Sequence, residues 1–351
     1  MIGIVFINNL DVCPYLKKYL QAIENHGVQY EIIYWNRDGR DNEVPKNHHV
    51  FQSTSDEGKH PIFKIVDFFK FRRYALRILK EKNYDKLIVL TSLAGVMFVN
   101  YLRRSYHEKY IFDYRDASYE WLKPFYKSLS TLIKNSYFTS ISSEGFKTIL
   151  PDSSYILAHN IKYKDLDKRV VNSLPHHNPI KVYFIGLLSD KDYLKKLIEL
   201  FSNDSRFELA FHGDGECYNY IKNYANDRIA VTGRYTEETK NDLFLGADMI
   251  FCNRLSSYIN DWAMANKLYE AVIFKKPLIG NSETYSGEVI KEYNLGISLS
   301  FEDDNYLNNI YDYYEHLNRQ LYDKSADDFL NKVLEEDKLY VEKINEFICE
   351  D

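Results

Sequence analysis

Ala247-Asp248-Met249-Ile250-Phe251-Cys252-Asn253 is a short apolar run closed by an asparagine. A polar stretch from Arg254 to Asp261 separates it from Trp262-Ala263-Met264-Ala265-Asn266-Lys267-Leu268-Tyr269-Glu270-Ala271-Val272, and Lys275-Lys276-Pro277-Leu278-Ile279-Gly280-Asn281 follows. The two short unalternating runs read as strands buried on both faces, and the spacing between them predicts a helix over 262–274. At about 100° per residue, Met264, Ala265, Leu268, Ala271 and Val272 share a core-facing arc, with Asn266, Lys267 and Glu270 on the opposite side. Strand, helix, strand in this order is the repeating unit of a parallel sheet.

The same alternation extends in both directions. In the second half, further strands are expected at Ile180–Ile185, Phe207–Phe211 and Ile229–Thr232, with helices at Lys191–Phe201, Glu216–Asn226, Glu237–Leu245 and Gly287–Tyr293. In the first half, strands are expected at Ile2–Ile7, Tyr30–Trp35, Lys86–Leu90, Tyr110–Asp113 and Tyr137–Ile141, with helices at Pro14–Asn25, Pro61–Lys82, Leu93–Ser105 and Tyr119–Asn135. A polar segment containing Pro175-His176-His177-Asn178-Pro179 interrupts the two series. The expected organisation is a first α/β domain over 1–160, a linker over 161–179, a second α/β domain over 180–300 and a helical segment over 301–351. Two tandem Rossmann-like domains facing across a cleft follow, with ligands beyond the carboxyl ends of the strands.

Composition narrows the class. The 351 residues are 45% hydrophobic and 27% charged, which excludes a disordered chain, and 14 glycines exclude a collagen-like one. Cys13, Cys217, Cys252 and Cys349 form no C-x-x-C pair, so neither a disulfide framework nor a zinc site is expected, and a reducing cytosol fits. The opening Met1-Ile2-Gly3-Ile4-Val5-Phe6-Ile7 has no basic leader and reads as a strand, and no segment approaches a membrane span. Net charge is −6, with the acidic excess in the second half and a basic excess in the first. A first half that faces something anionic is one reading of that asymmetry; an acidic C-terminal helix is the other.

Several side chains suit a nucleotide. A carboxylate such as Glu270 can accept hydrogen bonds from two adjacent ribose hydroxyls, Lys267 can hold a phosphate, and a helix starting near Asn260 and Asp261 would present free N–H groups to an anion. Asn266 lies one turn before Glu270 on the same face. The alternative is a solvated Lys267–Glu270 pair.

Asn266-Lys267-Leu268-Tyr269-Glu270-Ala271 followed by Lys276-Pro277-Leu278-Ile279 resembles the donor-binding segment of GT-B glycosyltransferases, particularly the bacterial polysaccharide enzymes near glycosyltransferase family 4. Other fragments fall in that family's order. Val182-Tyr183-Phe184-Ile185-Gly186-Leu187-Leu188-Ser189 resembles the first strand and glycine loop, and Phe211-His212-Gly213-Asp214-Gly215-Glu216 the Gly-x-Gly turn. Val231-Thr232-Gly233-Arg234-Tyr235-Thr236-Glu237-Glu238 resembles the element before the Ala-Asp strand. Phe112-Asp113-Tyr114-Arg115-Asp116 resembles a D-x-R-D segment common in these enzymes. The resemblance implies that Glu270 binds the nucleotide ribose, with Lys267, Asn266, Asn260, Gly186, His212 and Arg234 lining the donor site. The chain departs from the pattern in three places. Trp262 stands where the first of two paired glutamates is usual, Asn8-Asn9-Leu10-Asp11 replaces a Gly-rich loop, and Leu187-Leu188 replaces a basic pair. Pyrophosphate contacts then fall to Lys267, Arg234 or backbone amides.

In the first domain, Asp116 is a candidate general base or, with Arg115, a binder of acceptor hydroxyls. A local network of Asp113, Arg115 and Asp116 is the structural alternative. Asp11 is a rival base, with helix capping as its alternative. His159-Asn160 is expected at the hinge. His48, His49, His176 and His177 show no ligand spacing, so no metal and no cofactor are expected. Residues 62–80 interleave Ile62, Phe63, Ile65, Val66, Phe68, Phe69, Phe71 and Tyr74 with Lys64, Lys70, Arg72, Arg73, Arg77 and Lys80, which suits an anionic membrane surface or a core helix with a basic outer face. Tyr119, Trp121, Phe125 and Tyr126 extend that surface.

The resemblance implies a hexosyltransferase-type enzyme moving a sugar from a nucleotide-sugar donor to a glycan acceptor, with a lipid-linked capsule or O-antigen intermediate as the expected acceptor. It would be cytoplasmic or peripheral on the inner face of the plasma membrane, and no nucleic acid partner is expected. A nucleotide-sugar 2-epimerase of the same fold and a catalytically silent glycan-binding subunit are the alternatives.

Overall fold

The computed structural model describes residues 1–40, 44–54, 61–170, 176–252 and 255–350, with residues 61–64 described by their backbone alone. Pro175, Asn253, Arg254 and the side chains of Ile62, Phe63 and Lys64 lie outside the described residues. The chain forms two compact units, Met1–His159 with Glu335–Asp351, and Asn160–Leu334.

The first unit runs β1 (Ile2–Val5), α1 (Leu16–Asn25), β2 (Tyr30–Asn36), β3 (His48–Gln52), α2 (Pro61–Lys82), β4 (Lys86–Leu90), α3 (Ser92–Ser105), β5 (Tyr110–Tyr114), α4 (Lys123–Asn135), β6 (Phe138–Ile141) and β7 (Tyr155–Leu157). Its parallel sheet has the order β3-β2-β1-β4-β5-β6-β7. The central strands β1 and β5 are buried at every position, as helices on both faces require. Leu16, Tyr19, Ala22 and Ile23 of α1 form the apolar stripe that meets Ile2, Ile4, Ile32 and Ile88 of the sheet. Tyr340, Ile344, Phe347 and Ile348 complete this core, so the residues from Glu335 onward belong with the first unit.

The second unit runs α5 (Tyr163–Leu166), β8 (Ile180–Ile185), α6 (Lys191–Phe201), β9 (Phe207–His212), α7 (Tyr218–Lys222), β10 (Ile229–Gly233), α8 (Glu237–Gly246), β11 (Met249–Phe251), α9 (Asn266–Ile273), β12 (Leu278–Asn281), α10 (Tyr285–Glu292), β13 (Gly296–Leu299), α11 (Tyr306–Glu315) and the start of α12 (Arg319–Cys349). Its parallel sheet has the order β10-β9-β8-β11-β12-β13. Asp190 caps α6 by accepting from Tyr193 N, and Thr236 and Thr239 form a reciprocal cap on α8.

The α/β class and the two Rossmann-like sheets agree with the sequence reading. Three strands escaped it: β3, β7 and β13, each at the edge of its sheet. Their residues are only partly covered; β3 and β13 mix polar residues or glycine with apolar ones, and β7 is only three residues long. The helix expected from Trp262 begins at Asn266 instead. Residues 258–262 form a turn, in which the Asp261 carboxylate accepts from Ser257 N at 2.8 Å. Among the described residues no helix is long and apolar enough to cross a membrane.

Candidate functional site

In the second unit the chain leaves β8 first toward β9 and β10, then returns to β11 on the other side. That reversal falls between the carboxyl ends of β8 and β11, the place where open parallel sheets bind ligands. Gly186 follows β8, and α9 follows β11. The loops after β8 and β9 are tied by Gly186 N to His212 O at 2.9 Å and Leu188 N to Asp214 O at 2.9 Å. This close approach explains two glycines. A β-carbon on Gly213 would lie 1.8 Å from Gly186 O, and one on Gly215 would lie 2.5 Å from Leu188 O.

Lys267 stands beside this loop, its Cε 3.9 Å from where a β-carbon on Gly186 would sit. Its ammonium pairs with Glu270 Oε2. Glu270 is not on a solvated face: its side chain is 9% exposed. The reason is a residue absent from the sequence reading. Lys240 of α8, with a side chain 1% exposed, places Nζ 3.0 Å from Glu270 Oε1 and 3.1 Å from Asp165 Oδ2 of α5. Burial alone would raise the Glu270 carboxyl; Lys267 and Lys240 outweigh it and hold the group below its usual range. Burial would likewise lower the Lys240 ammonium, and Glu270 with Asp165 raises it instead. Glu270 is thus a pre-ionised acceptor with one oxygen held from inside and the other held by a cation near the mouth.

The remaining donor-side candidates divide. Asn266 is exposed as the first residue of α9, and Arg234 is exposed just past β10. His212 is buried at the end of β9, with Nδ1 2.8 Å from Thr232 Oγ1 and Nε2 without a hydrogen-bond partner. Burial lowers its imidazole to about 4, so the ring is neutral at pH 7. Asn260, in the 258–262 turn, donates to Leu255 O at 3.0 Å. The helix start near 260–262, expected to offer N–H groups to a phosphate, is displaced to Asn266, where those groups now belong to the residues beside Lys267.

In the first unit the corresponding reversal lies between β1 and β4. Asn9 is buried there, donating to Asn36 Oδ1 and Asp38 Oδ1, each at 2.7 Å. Thr91, at the end of β4, holds φ at 78°, a costly conformation for a β-branched residue, and its hydroxyl is buried without a partner. Neither Asn9's contacts nor Thr91 were legible in the sequence. Asp11 is exposed in the turn Leu10–Val12, and α1 begins after Tyr15, so Asp11 does not cap it.

Asp116 follows β5 with an exposed side chain, and partial desolvation raises its carboxyl above the ordinary aspartate range. Its neighbour points the other way. Arg115 is buried against Asp113, donates to Ala158 O at 2.7 Å and to Tyr340 Oη at 3.3 Å, and lies 4.3 Å over the Tyr15 ring. Asp113 also accepts from Tyr19 and Ser140, each at 2.9 Å. Arg115 therefore lies in the interior of the unit, in the local network with Asp113 that the sequence left open as the structural alternative. His159 binds Glu336 at 2.8 Å, and Lys18 pairs with the buried Asp337.

The chain thus holds two doubly wound parallel sheets, each with one reversal of strand order. No family model matches the chain, and no curated protein matches it by sequence. Solved structures do. Anabaena Alr3699/HepE in complex with UDP superimposes with a TM-score of 0.68 at 12% identity, over 99% of this chain and 100% of that one. WaaG, a glycosyltransferase involved in lipopolysaccharide biosynthesis, gives 0.66 at 10% identity over the whole of both chains. The lipopolysaccharide outer core galactosyltransferase WaaB gives 0.63 at 16% identity over 99% of each. The chain has the GT-B fold of these glycosyltransferases.

Proposed function

We propose that the protein is a glycosyltransferase that takes a nucleotide-sugar at the β8/β11 reversal and passes the sugar to a glycan acceptor held by the first unit. The pairing of Glu270 with Lys267 beside Gly186 carries this reading. It sets a carboxylate for ribose hydroxyls and a cation for the diphosphate at one strand reversal. Neutralising the leaving diphosphate is the main electrostatic demand of sugar transfer, and Lys267 with the first N–H groups of α9 meets it. No metal is required in this scheme. Asp116 positions the acceptor hydroxyl, and acts as its base if the reaction inverts. In a retaining reaction the donor phosphate itself takes the proton.

The acceptor is proposed to be lipid-linked, of the capsule or O-antigen kind, met at an anionic membrane surface. Ile65, Val66, Phe69, Tyr119, Trp121, Leu122 and Tyr126 are exposed, with Phe69 at 67% and Trp121 at 58%. Lys70, Arg73, Arg77 and Lys80 are exposed along the same helix, α2. Apolar and aromatic side chains beside a row of cations fit a lipid interface.

The test is a thermal-shift screen against UDP-, GDP-, dTDP- and CMP-sugars, repeated with Glu270→Gln. Stabilisation by one donor, lost in the variant, supports the assignment. Wild-type protein that responds to none points to the silent-subunit alternative. Free UDP and an epimerised sugar formed without acceptor point to the 2-epimerase.

A further inference from the structure

Glu270 holds two lysines that differ in how firmly they are held. Lys240 is enclosed and bound to two buried carboxylates, so removing it from Glu270 strands charge in the interior. Lys267 has a side chain 21% exposed, pairs with Glu270 Oε2, and otherwise lies 5.8 Å over the Phe244 ring. It is the outer cation, and a long flexible stem lets its ammonium swing.

A ribose whose two hydroxyls donate to Glu270 competes for the oxygen that Lys267 holds. A diphosphate needs a cation nearby. Each half of a nucleotide thus compensates what the other half disturbs. A nucleoside alone must separate the Lys267–Glu270 pair and leave the ammonium without an anion in a partly buried place. Building on the donor-site reading above, we propose that Lys267 is a specificity-determining residue. It is exchanged from Glu270 to the diphosphate as the ligand binds, so that the site takes a ribose diol and a diphosphate together and penalises a ribonucleoside alone. Lys240, fixed by Asp165, keeps Glu270 ionised throughout.

The exchange makes opposite predictions for two ligands. In Lys267→Ala the diphosphate loses its cation, while Glu270 Oε2 becomes free for a ribose. Affinities of UDP and GDP are measured by calorimetry, and those of uridine and guanosine by ligand-observed NMR, on the full chain. Alanine is favourable in a helix, and unfolding curves check the fold. Lys267→Met, which keeps the aliphatic contact with Phe244, is measured alongside. The expected result is that the nucleoside diphosphate bound by wild type binds both variants about tenfold or more weakly, the loss of a charge-assisted hydrogen bond. Its nucleoside binds both variants severalfold more tightly than wild type. A nucleoside whose affinity is unchanged or lower in the variants, or that binds none of the three proteins, overturns the exchange alone. Wild type that binds neither diphosphate overturns the donor-site reading together with it.

Discussion

Arg115 closes onto Asp113 inside the first unit, its Nε 2.7 Å from Oδ1 and its Nη2 2.9 Å from Oδ2, and the carboxylate has no exposed surface. A buried charge that loses its partner is destabilising by about 3–5 kcal/mol. Arg115→Met is expected to lower the urea midpoint of the first unit accordingly. The double variant Arg115→Met/Asp113→Asn removes the stranded charge and is expected to recover part of the loss. Full stability in the single variant would show that Tyr19 and Ser140 suffice for Asp113.

Asp116 is exposed at the end of β5 and carries no such pairing. If it is the general base, Asp116→Asn lowers kcat by about 10²–10⁴-fold with donor binding unchanged. If it positions the acceptor, the same change mainly raises the acceptor KM. Because its carboxyl is raised by partial desolvation, an acid limb in the wild-type kcat/KM profile belongs above the ordinary aspartate range and vanishes in the variant. An unaltered profile with full activity removes Asp116 from the site and leaves Asp11.

Vesicle binding tests the surface of α2. Arg72 is a poor choice for substitution, since its Nε donates to Met97 O at 2.9 Å. Lys70, Arg73 and Arg77 are exposed. Changing these three to Gln is expected to weaken binding to acidic vesicles by about 3 kcal/mol in total, at about 1 kcal/mol per basic residue. Salt should weaken the wild type in the same way. Wild type that does not sediment with acidic vesicles at low salt makes α2 an ordinary core helix.

Lys276 supplies a pH signature of the second unit. Its buried ammonium donates to Leu245 O at 3.1 Å and Ala247 O at 2.5 Å, and burial lowers its pKa from 10.5 to about 8. Between those values the unfolded chain binds more protons than the folded one, so this group's contribution to stability rises with pH across the window. At pH 7 it is charged in both states and its burial cost is fully present. Relative to Lys276→Met, wild type should therefore gain stability from pH 7 to pH 10, by at most about 3 kcal/mol at 1.36 kcal/mol per pKa unit. A stability difference that stays flat with pH would mean that the lysine titrates normally.

The alternation of apolar runs with helical stretches determined both sheets, because strands covered on two faces are written as continuous hydrophobic segments. The edge strands β3 and β13 were illegible because polar residues or glycine interrupt them, and β7 because it is only three residues long. Glu270 and Lys267 were legible because they lie within one helical turn of each other. Lys240 lies 30 residues before Glu270, and Asp165 another 75 before Lys240, so only folding brings the three charges together. Arg115 shows the same limit from the opposite side. Next to Asp116 in sequence, it reads as a site residue, yet alternation along and beyond β5 sends successive side chains to opposite sides. Sequence thus determined which residues carry charge near the strand ends. The tertiary structure alone decided which of those charges face inward, since burial and pairing depend on segments far apart in the chain.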